Sequence, residues 1–323
     1  MINFIKKNAV LYKEMIVDMK TPKAMIITVI MNALLGLIAV CFLIGISIAG
    51  SAAEGYIWYR VIPWMLTAIY YVEAALIIFL VPAITAGTIS LEKERQTLDV
   101  LLTTRMTPWE IIIGKYFSNV VFVFLLIISS LPIWALAFIY GGFPLWKILV
   151  MMLVLMTITC YFSSFGIFFS SVTKNTILSV ILTYIFSGMI FSATSILATA
   201  GISVVEVINA ILVEKFPFIT NDHLINGDGF IFFLLLNPFT TVFDVIGTTI
   251  GYSFGSEGQY KGMAEIAEIL PHFTEKNILL NLWTPLSMVL QLLVSAGLIR
   301  IAAAALNPVR KPKRYKKKDF GMK

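Results

Sequence analysis

The sequence predicts an all-α polytopic membrane protein with six transmembrane helices, and three observations support this. The chain is 59% hydrophobic and 13% charged, with a mean hydropathy of +0.91, whereas soluble domains carry about 25% charged residues. Several apolar runs reach the roughly 20 residues that a helix needs to cross a bilayer core. Charged residues concentrate in short segments between and beyond these runs. The spans are expected at about 24–48, 61–86, 111–140, 145–171, 176–200 and 278–306.

The segment 1–22, before the first span, is predicted to be an amphipathic interfacial helix. On a helical wheel its apolar side chains occupy one half, and charged side chains such as Lys13, Glu14 and Asp18 occupy the other. Such a helix lies in the membrane interface with its apolar face in the acyl boundary. Thr21-Pro22 then suits the cap and first position of the next helix.

The distribution of basic residues predicts the orientation. With six spans both termini lie on one side, and that side holds most of the 24 Lys and Arg residues. Because Lys and Arg are enriched in cytoplasmic loops, both termini are expected to be cytoplasmic, in a plasma (inner) membrane. The tail at 307–323 is the most basic segment. We interpret it as a contact with anionic lipid rather than a nucleic-acid site.

A charged segment from Gly87 to Lys115 separates the second and third apolar runs. Leu91 and Leu98 fall on the same side of a helical wheel, with a polar stripe beside them. This pattern predicts a short amphipathic helix over about 90–104, with Ser90 as its N-cap. A helix with mixed charges in this position favours a protein-docking surface over a simple solvated loop.

The start of the third span carries its own signal. Thr107 and Glu110 have the spacing of a capping box, and Pro108 stands at the first helical position. The segment between the second and third spans is therefore predicted to contain a helix, a tight turn and the start of a second helix.

The stretches Ile89–Leu98, Leu101–Thr104 and Ile111–Lys115 together resemble the inner-face signature of ABC transporter permeases of the type-2 (exporter) class. The opening Asn8–Glu14 is similar to the connecting helix of that family, with Ala9 where a Pro is common. The order of the spans, with the signature after the second one, also fits this class.

The resemblance implies the permease subunit of an ATP-driven exporter, which pairs as a homodimer or heterodimer in the lipid bilayer. Two separate ABC ATPase subunits would bind ATP and Mg, and this chain would bind no cofactor. No G-x-x-x-x-G-K-[S/T] phosphate loop occurs in the sequence, so the chain is not expected to be an enzyme. No nucleic-acid partner is expected.

The resemblance also implies site residues. The helix at 88–105 would be the cytoplasmic coupling helix, and Lys13, Glu14 and Asp18 would belong to the connecting helix. Glu92, Glu94 and Arg95 would contact the ATPase, while Leu91, Leu98 and Leu102 pack the helix against the surface helix and the span bases. The coupling residues implied are Ser90, Leu91, Glu92, Lys93, Glu94, Arg95, Thr97 and Leu98.

The segment 201–277 is expected on the extracytoplasmic side because it is rich in acidic residues. Its run 230–251 is nearly long enough to cross once, but Asn237-Pro238 breaks it and Asp244 charges it. A single crossing would also place the basic tail outside. We therefore predict re-entrant half-helices packed against protein. A pair of extra spans that includes Ser203–Val213 would restore parity, but that run is too short.

Glu73 lies deep in a predicted span, where a carboxylate is costly and commonly faces a cavity or a partner. Two interpretations stay open: a residue of the translocation path, or a hydrogen-bonded structural residue. The first motivates an alternative function, an ion-coupled secondary transporter or channel that uses Glu73. Such proteins usually show an internal repeat, which we do not find. The Cys and His residues form no metal-site pattern.

Overall fold

The computed structural model describes residues 21–50, 57–98, 107–141, 145–215, 225, 227–253 and 282–306. All regular elements within these ranges are helical. The predicted interfacial helix, with Lys13, Glu14 and Asp18, and the basic tail at 307–323 lie outside the described residues. The elements are α1 (Pro22–Gly50), α2 (Ile57–Thr85), α3 (Ser90–Glu94), α4 (Pro108–Ser129), α5 (Leu131–Gly141), α6 (Leu145–Val172), α7 (Thr176–Lys215), a 3₁₀ helix (Asp228–Leu236), α8 (Pro238–Ser253) and α9 (Trp283–Leu306).

Six segments of the described chain are long and apolar enough to cross a membrane, so the protein is a multi-pass membrane protein. They correspond to the six predicted spans: α1, α2, α4 with the start of α5, α6, α7 and α9. The capping box predicted for the third span is confirmed. The Thr107 amide donates to a Glu110 carboxylate oxygen at 2.9 Å, and the Glu110 amide donates to the Thr107 hydroxyl at 3.3 Å.

The fifth predicted span ends too early. Helix α7 continues past Ala200 to Lys215, giving 40 residues and a length of about 60 Å at ~1.5 Å per residue. The run Ser203–Val213, weighed as a separate span, is the continuation of α7. Gly201 does not break the helix: a Cβ there would lie 2.2 Å from the Phe230 ring, so this glycine makes room for a packed aromatic side chain.

The predicted break at Asn237-Pro238 is present. The 3₁₀ helix and α8 meet there at a bend of 101°. The Asn237 side-chain carbonyl accepts the Phe239 amide at 3.0 Å, and its amide group donates to the hydroxyls of Thr194 and Ser195 in α7, each at 3.2 Å. The bend is therefore bonded to a neighbouring span.

Helix α6 lies at the centre of the bundle and α7 at its periphery. In an apolar window of 18 residues in each helix, 67% of the α6 residues are buried, compared with 6% of the α7 residues. Close approach explains part of this: a Cβ at Gly166 would lie 1.9 Å from the Thr85 hydroxyl, so α6 and α2 cross almost in backbone contact. The main buried core of the bundle includes Met65, Tyr70, Trp134 and Phe165.

Candidate functional site

The charged segment enters the structure as the short helix α3, at the end of the bundle where α2 and α6 end. Helix α3 has five residues and stops because Gln96 adopts a φ of 57°. The helix predicted over about 90–104 is thus interrupted at Gln96, and residues 99–106 lie outside the described part of the chain.

The assignment of Ser90 as N-cap is wrong. Ser90 is the first helical residue, it is fully buried, and its hydroxyl donates to the Ala86 carbonyl at 2.9 Å. Ile89 stands at the cap position without a side-chain hydrogen bond. A side-chain cap is not required, because the turn after α2 already provides a backbone acceptor: the Leu91 amide donates to the Gly87 carbonyl at 3.1 Å.

The first contact of α3 with a span is a buried ion pair. A Glu92 carboxylate oxygen lies 2.8 Å from the ammonium nitrogen of Lys115 in α4. The Lys115 side chain is 2% exposed and that of Glu92 is 29% exposed. Lys115 also donates to the Thr88 carbonyl at 3.3 Å. Because the ammonium group is desolvated, its charge depends on these acceptors.

The second contact joins α3 to the end of α6. The half-buried ammonium group of Lys93 donates to the carbonyls of Ser170 at 3.3 Å and Thr173 at 3.1 Å, and also to that of Ser171. These carbonyls belong to the last turn of α6 and the residue after it, where helical acceptors lack intrahelical partners. A cation at this position also interacts favourably with the helix dipole.

The third contact joins α3 to the start of α7. One oxygen of the Glu94 carboxylate accepts the Thr176 amide at 2.7 Å, and the other accepts the Thr176 hydroxyl at 2.9 Å. A carboxylate at a helix N-terminus satisfies a free amide and matches the sign of the helix dipole. Lys93 and Glu94 therefore bind the two ends of one interhelical turn, residues 173–175.

A backbone contact supports this arrangement. The buried hydroxyl of Ser170 accepts the amides of Ile89 and Ser90, each at 2.8 Å. A buried apolar cluster lies beneath α3. It is formed by residues on either side of α3, the start of α4 and the end of α9. Members of this cluster include Ile89, Leu98, Ile111, Ile299 and Leu306. We call the contacts of Glu92, Lys93 and Glu94 with α4, α6 and α7 the α3 clasp.

Several described residues next to the clasp are exposed. Leu91 was expected to pack inward but is 40% exposed, and Trp109, at the start of α4, is 42% exposed. Arg95, Gln96 and Thr97 are also exposed, and within the described residues no hydrogen bond or ion pair engages the Arg95 guanidinium group. Leu98 instead is buried. The predicted coupling residues thus divide into a bonded set, an exposed set and the buried pair Ser90 and Leu98.

Sequence reasoning missed the residues that Glu92, Lys93 and Glu94 bind, and it missed Ser170 as the acceptor of the α3 amides. Ser170 and Thr176 lie about 80 residues from α3 in the chain, and no local pattern marks them. Lys115 belongs to the motif that carries the resemblance, but it was not assigned to the site. A signal did exist there: Lys115 and Asn119 are one helical turn apart on an apolar span, and Asn119 donates to the Thr88 hydroxyl at 3.1 Å.

Glu73 lies in a separate polar cluster inside the bundle. Its carboxylate accepts the Ser130 hydroxyl at 2.7 Å and the Trp134 indole N–H at 2.8 Å, and the residue is 0% exposed. Ser130 stands at the break between α4 and α5, and the adjacent Ser129 accepts the Asn32 side-chain amide at 2.8 Å. With no exposed surface on Glu73, the geometry favours the hydrogen-bonded structural interpretation.

Comparison with known proteins bears on the same region. Residues 63–202 match the family model described as ABC-2 type transporter. The match runs from the beginning of α2 into α7, so it includes Glu73 and every residue of the α3 clasp. The comparison with curated proteins gave no match.

Proposed function

Through residues 63–202 the chain belongs to the ABC-2 type transporter family, and we propose that it is the permease subunit of an ATP-driven exporter. In this proposal it forms the translocation path and is energised by separate ATPase subunits that bind ATP and Mg. Membrane domains of this family are transporters and not enzymes themselves. The proposal therefore assigns the ATP chemistry to a partner.

The geometry of α3 is the observation that carries the proposal. A five-residue helix is bonded to three spans at one end of the bundle, while Leu91, Arg95, Gln96 and Thr97 stay exposed. A loop that only joined two spans would not need contacts with α4, α6 and α7 together. A surface that receives force from a soluble partner needs both features.

The end of α9 supports the proposed orientation. Leu306, the last residue of α9, lies in the same buried cluster as Ile89, so the chain enters its basic tail at the α3 end of the bundle. We propose that this end and both termini face the cytoplasm in a plasma (inner) membrane. The exposed residues of α3 then face the compartment that contains ATP.

The bend at Asn237 supports a re-entrant segment at the opposite end. Thr284 near the start of α9 donates to the Asp244 carboxylate at 2.5 Å, and Lys147 near the start of α6 donates to the Thr248 carbonyl at 3.2 Å. On the other leg, the Leu235 carbonyl accepts the Ser287 hydroxyl at 2.7 Å. Both legs therefore bond to the same end of the bundle.

The ion-coupled alternative receives no comparable support. It requires Glu73 to reach a water-filled path, but both oxygens of its carboxylate are bonded and the side chain has no exposed surface.

Copurification tests the proposal. The tagged full chain is coexpressed with a phosphate-loop ATPase encoded beside its gene, extracted in detergent and reconstituted into vesicles. We expect a stable complex with two ATPase subunits and two permease subunits, and Mg-ATP hydrolysis that depends on the permease. Failure of such an ATPase to bind the wild-type chain in vesicles as well as in detergent would contradict the proposal.

A further inference from the structure

We propose that the charged segment divides its residues between two tasks. Glu92, Lys93 and Glu94 hold α3 to the spans and transmit its displacement, whereas Leu91, Arg95, Gln96 and Thr97 form the contact surface for the ATPase. The inference rests on the proposed function and deepens it. It also reassigns Glu92 and Glu94, which the family resemblance places against the ATPase.

The ion pair with Lys115 makes α3 and the start of α4 move together. Lys115 is nearly fully buried, so moving it away from the Glu92 oxygen at 2.8 Å separates the charges of a desolvated ion pair. The cost of that separation is large compared with that of bending the exposed turn at Arg95–Gln96. A push on α3 is therefore expected to displace α4 before it breaks this contact.

Lys93 and Glu94 extend the linkage to two further spans. Lys93 binds carbonyls at the end of α6, and the adjacent Glu94 binds the first residue of α7. Each charge has the sign that the helix terminus attracts. Helix α6 ends and α7 begins at the turn of residues 173–175. Because α3 binds both sides of this turn, one displacement of α3 acts on both helices. The contacts involve adjacent α3 residues, which keeps the response of α6 and α7 coupled.

These contacts leave Lys93 and Glu94 little capacity to bind a partner, and the second carboxylate oxygen of Glu92 is buried. Both oxygens of Glu94 accept hydrogen bonds from Thr176, and Lys93 donates to three carbonyls. A partner that used these groups would have to displace bonds inside the permease. Glu94 is exposed, but both of its carboxylate oxygens are bonded, whereas the neighbouring Leu91, Arg95 and Gln96 are exposed without such contacts to the spans.

The exposed set indicates what the partner surface offers. Arg95 presents a guanidinium group with no partner among the described residues, and Leu91 presents apolar surface at 40% exposure. Gln96 and Thr97 add polar groups at the turn. A complementary ATPase cleft has an apolar floor for Leu91 and a carboxylate that reaches Arg95. Arg favours such a contact because its planar group binds carboxylates in a bidentate manner.

The test separates binding from transmission. Cys41 and Cys160 are replaced by Ala, Val172→Cys is labelled with an environment-sensitive fluorophore, and the full complex is reconstituted in vesicles. Val172 is 56% exposed and ends α6 beside the clasp. Two quantities are measured for each variant: the affinity for the ATPase subunit, and the change in fluorescence on adding Mg-ATP with vanadate.

We expect Lys115→Met to keep the wild-type ATPase affinity and to lose the fluorescence change. Arg95→Glu should bind the ATPase about tenfold more weakly or worse, because it places like charges across the contact. Lys174→Met is the control: Lys174 lies in the same turn, is exposed and forms no hydrogen bond or ion pair with α3 in the described part of the chain, although its positive charge acts on Lys93. Its removal should leave both quantities close to wild-type values.

Two further variants distinguish loss of the contact from misfolding of the protein. The charge exchange Glu92→Lys with Lys115→Glu retains a buried pair and should recover at least part of the fluorescence change. Glu94→Gln keeps an acceptor for Thr176 and should reduce the change without altering affinity.

Three results would overturn the inference. The first is Lys115→Met or Glu94→Gln weakening ATPase binding as much as Arg95→Glu does. The second is a full fluorescence change in Lys115→Met. The third is a wild-type complex that binds the ATPase but shows no fluorescence change at Val172. A wild-type chain that binds no ATPase at all would contradict the proposed function instead, so the two failures are distinguishable.

Discussion

Glu94 and Thr176 are 82 positions apart in the sequence, yet the two oxygens of the Glu94 carboxylate accept both the amide and the hydroxyl of Thr176. A residue of the short helix α3 thus caps the 40-residue helix α7. The first residue of this span is bonded to a side chain from the segment between α2 and α4. The charged segment therefore packs as part of the bundle.

The cap can be tested by a double-mutant cycle. Glu94→Ala and Thr176→Val each remove part of the contact, and each should lower the free energy of unfolding by about 0.5–2 kcal/mol, the usual range for an N-cap. The double variant should lose less than the sum, because the contact can be lost only once. Thermal unfolding in detergent measures this. Strict additivity would show that the two side chains do not interact.

The buried ion pair predicts a larger effect. Lys115→Met removes the cation and leaves the Glu92 carboxylate partly desolvated, which should cost about 3–5 kcal/mol. Combining it with Glu92→Gln removes both charges and should recover part of the loss. Denaturant titration of the purified protein measures both values. If the double variant were less stable than Lys115→Met, the ion pair would not be the cause.

Glu73 predicts a difference between two substitutions. Glu73→Ala leaves the Trp134 indole N–H without an acceptor and should cost about 1–3 kcal/mol for that group, besides the cavity it creates. Glu73→Gln keeps an acceptor for Trp134 and should stay close to wild type in stability and in transport. Unfolding and vesicle transport assays are the measurements. Loss of transport in Glu73→Gln at unchanged stability would favour the translocation-path interpretation.

The crossing of α2 and α6 can be tested at its closest point. Gly166→Ala places a Cβ 1.9 Å from the Thr85 hydroxyl and 2.7 Å from the Thr85 Cβ, so the helices must separate, at a cost of about 1–3 kcal/mol. Gly188→Ala is the control, since no atom outside its own helix lies within 4 Å of the added Cβ. We expect Gly188→Ala to be neutral or stabilising in thermal unfolding. Equal losses at both positions would argue against a close crossing.

Local patterns were sufficient for the features that depend on local energetics. The positions of the six spans follow from the transfer of apolar side chains out of water. The capping box of Thr107 and Glu110 follows from groups three residues apart. The break at Asn237-Pro238 follows because Pro lacks the amide hydrogen that a continuing helix uses. In each case the determining atoms are close in the chain.

Other features depend on how the helices cross, and no local pattern predicted them. The fifth span was predicted to end near residue 200, but α7 continues through Gly201, and the Phe230 ring occupies the space that the missing side chain leaves. The family resemblance implied that Glu92 and Glu94 contact the ATPase. The groups that donate to them, in Lys115 and Thr176, come within bonding distance only after α4 and α7 pack on α6.

The amino-acid pattern therefore established a six-span membrane protein with a charged segment at one membrane face, because hydration and capping act over a few residues. Which charges of that segment are bonded inside the permease and which stay exposed depended on the packed bundle. The termini of α6 and α7 carry partial charges and unsatisfied backbone groups. Only their positions in three dimensions bring Lys93 and Glu94 against them.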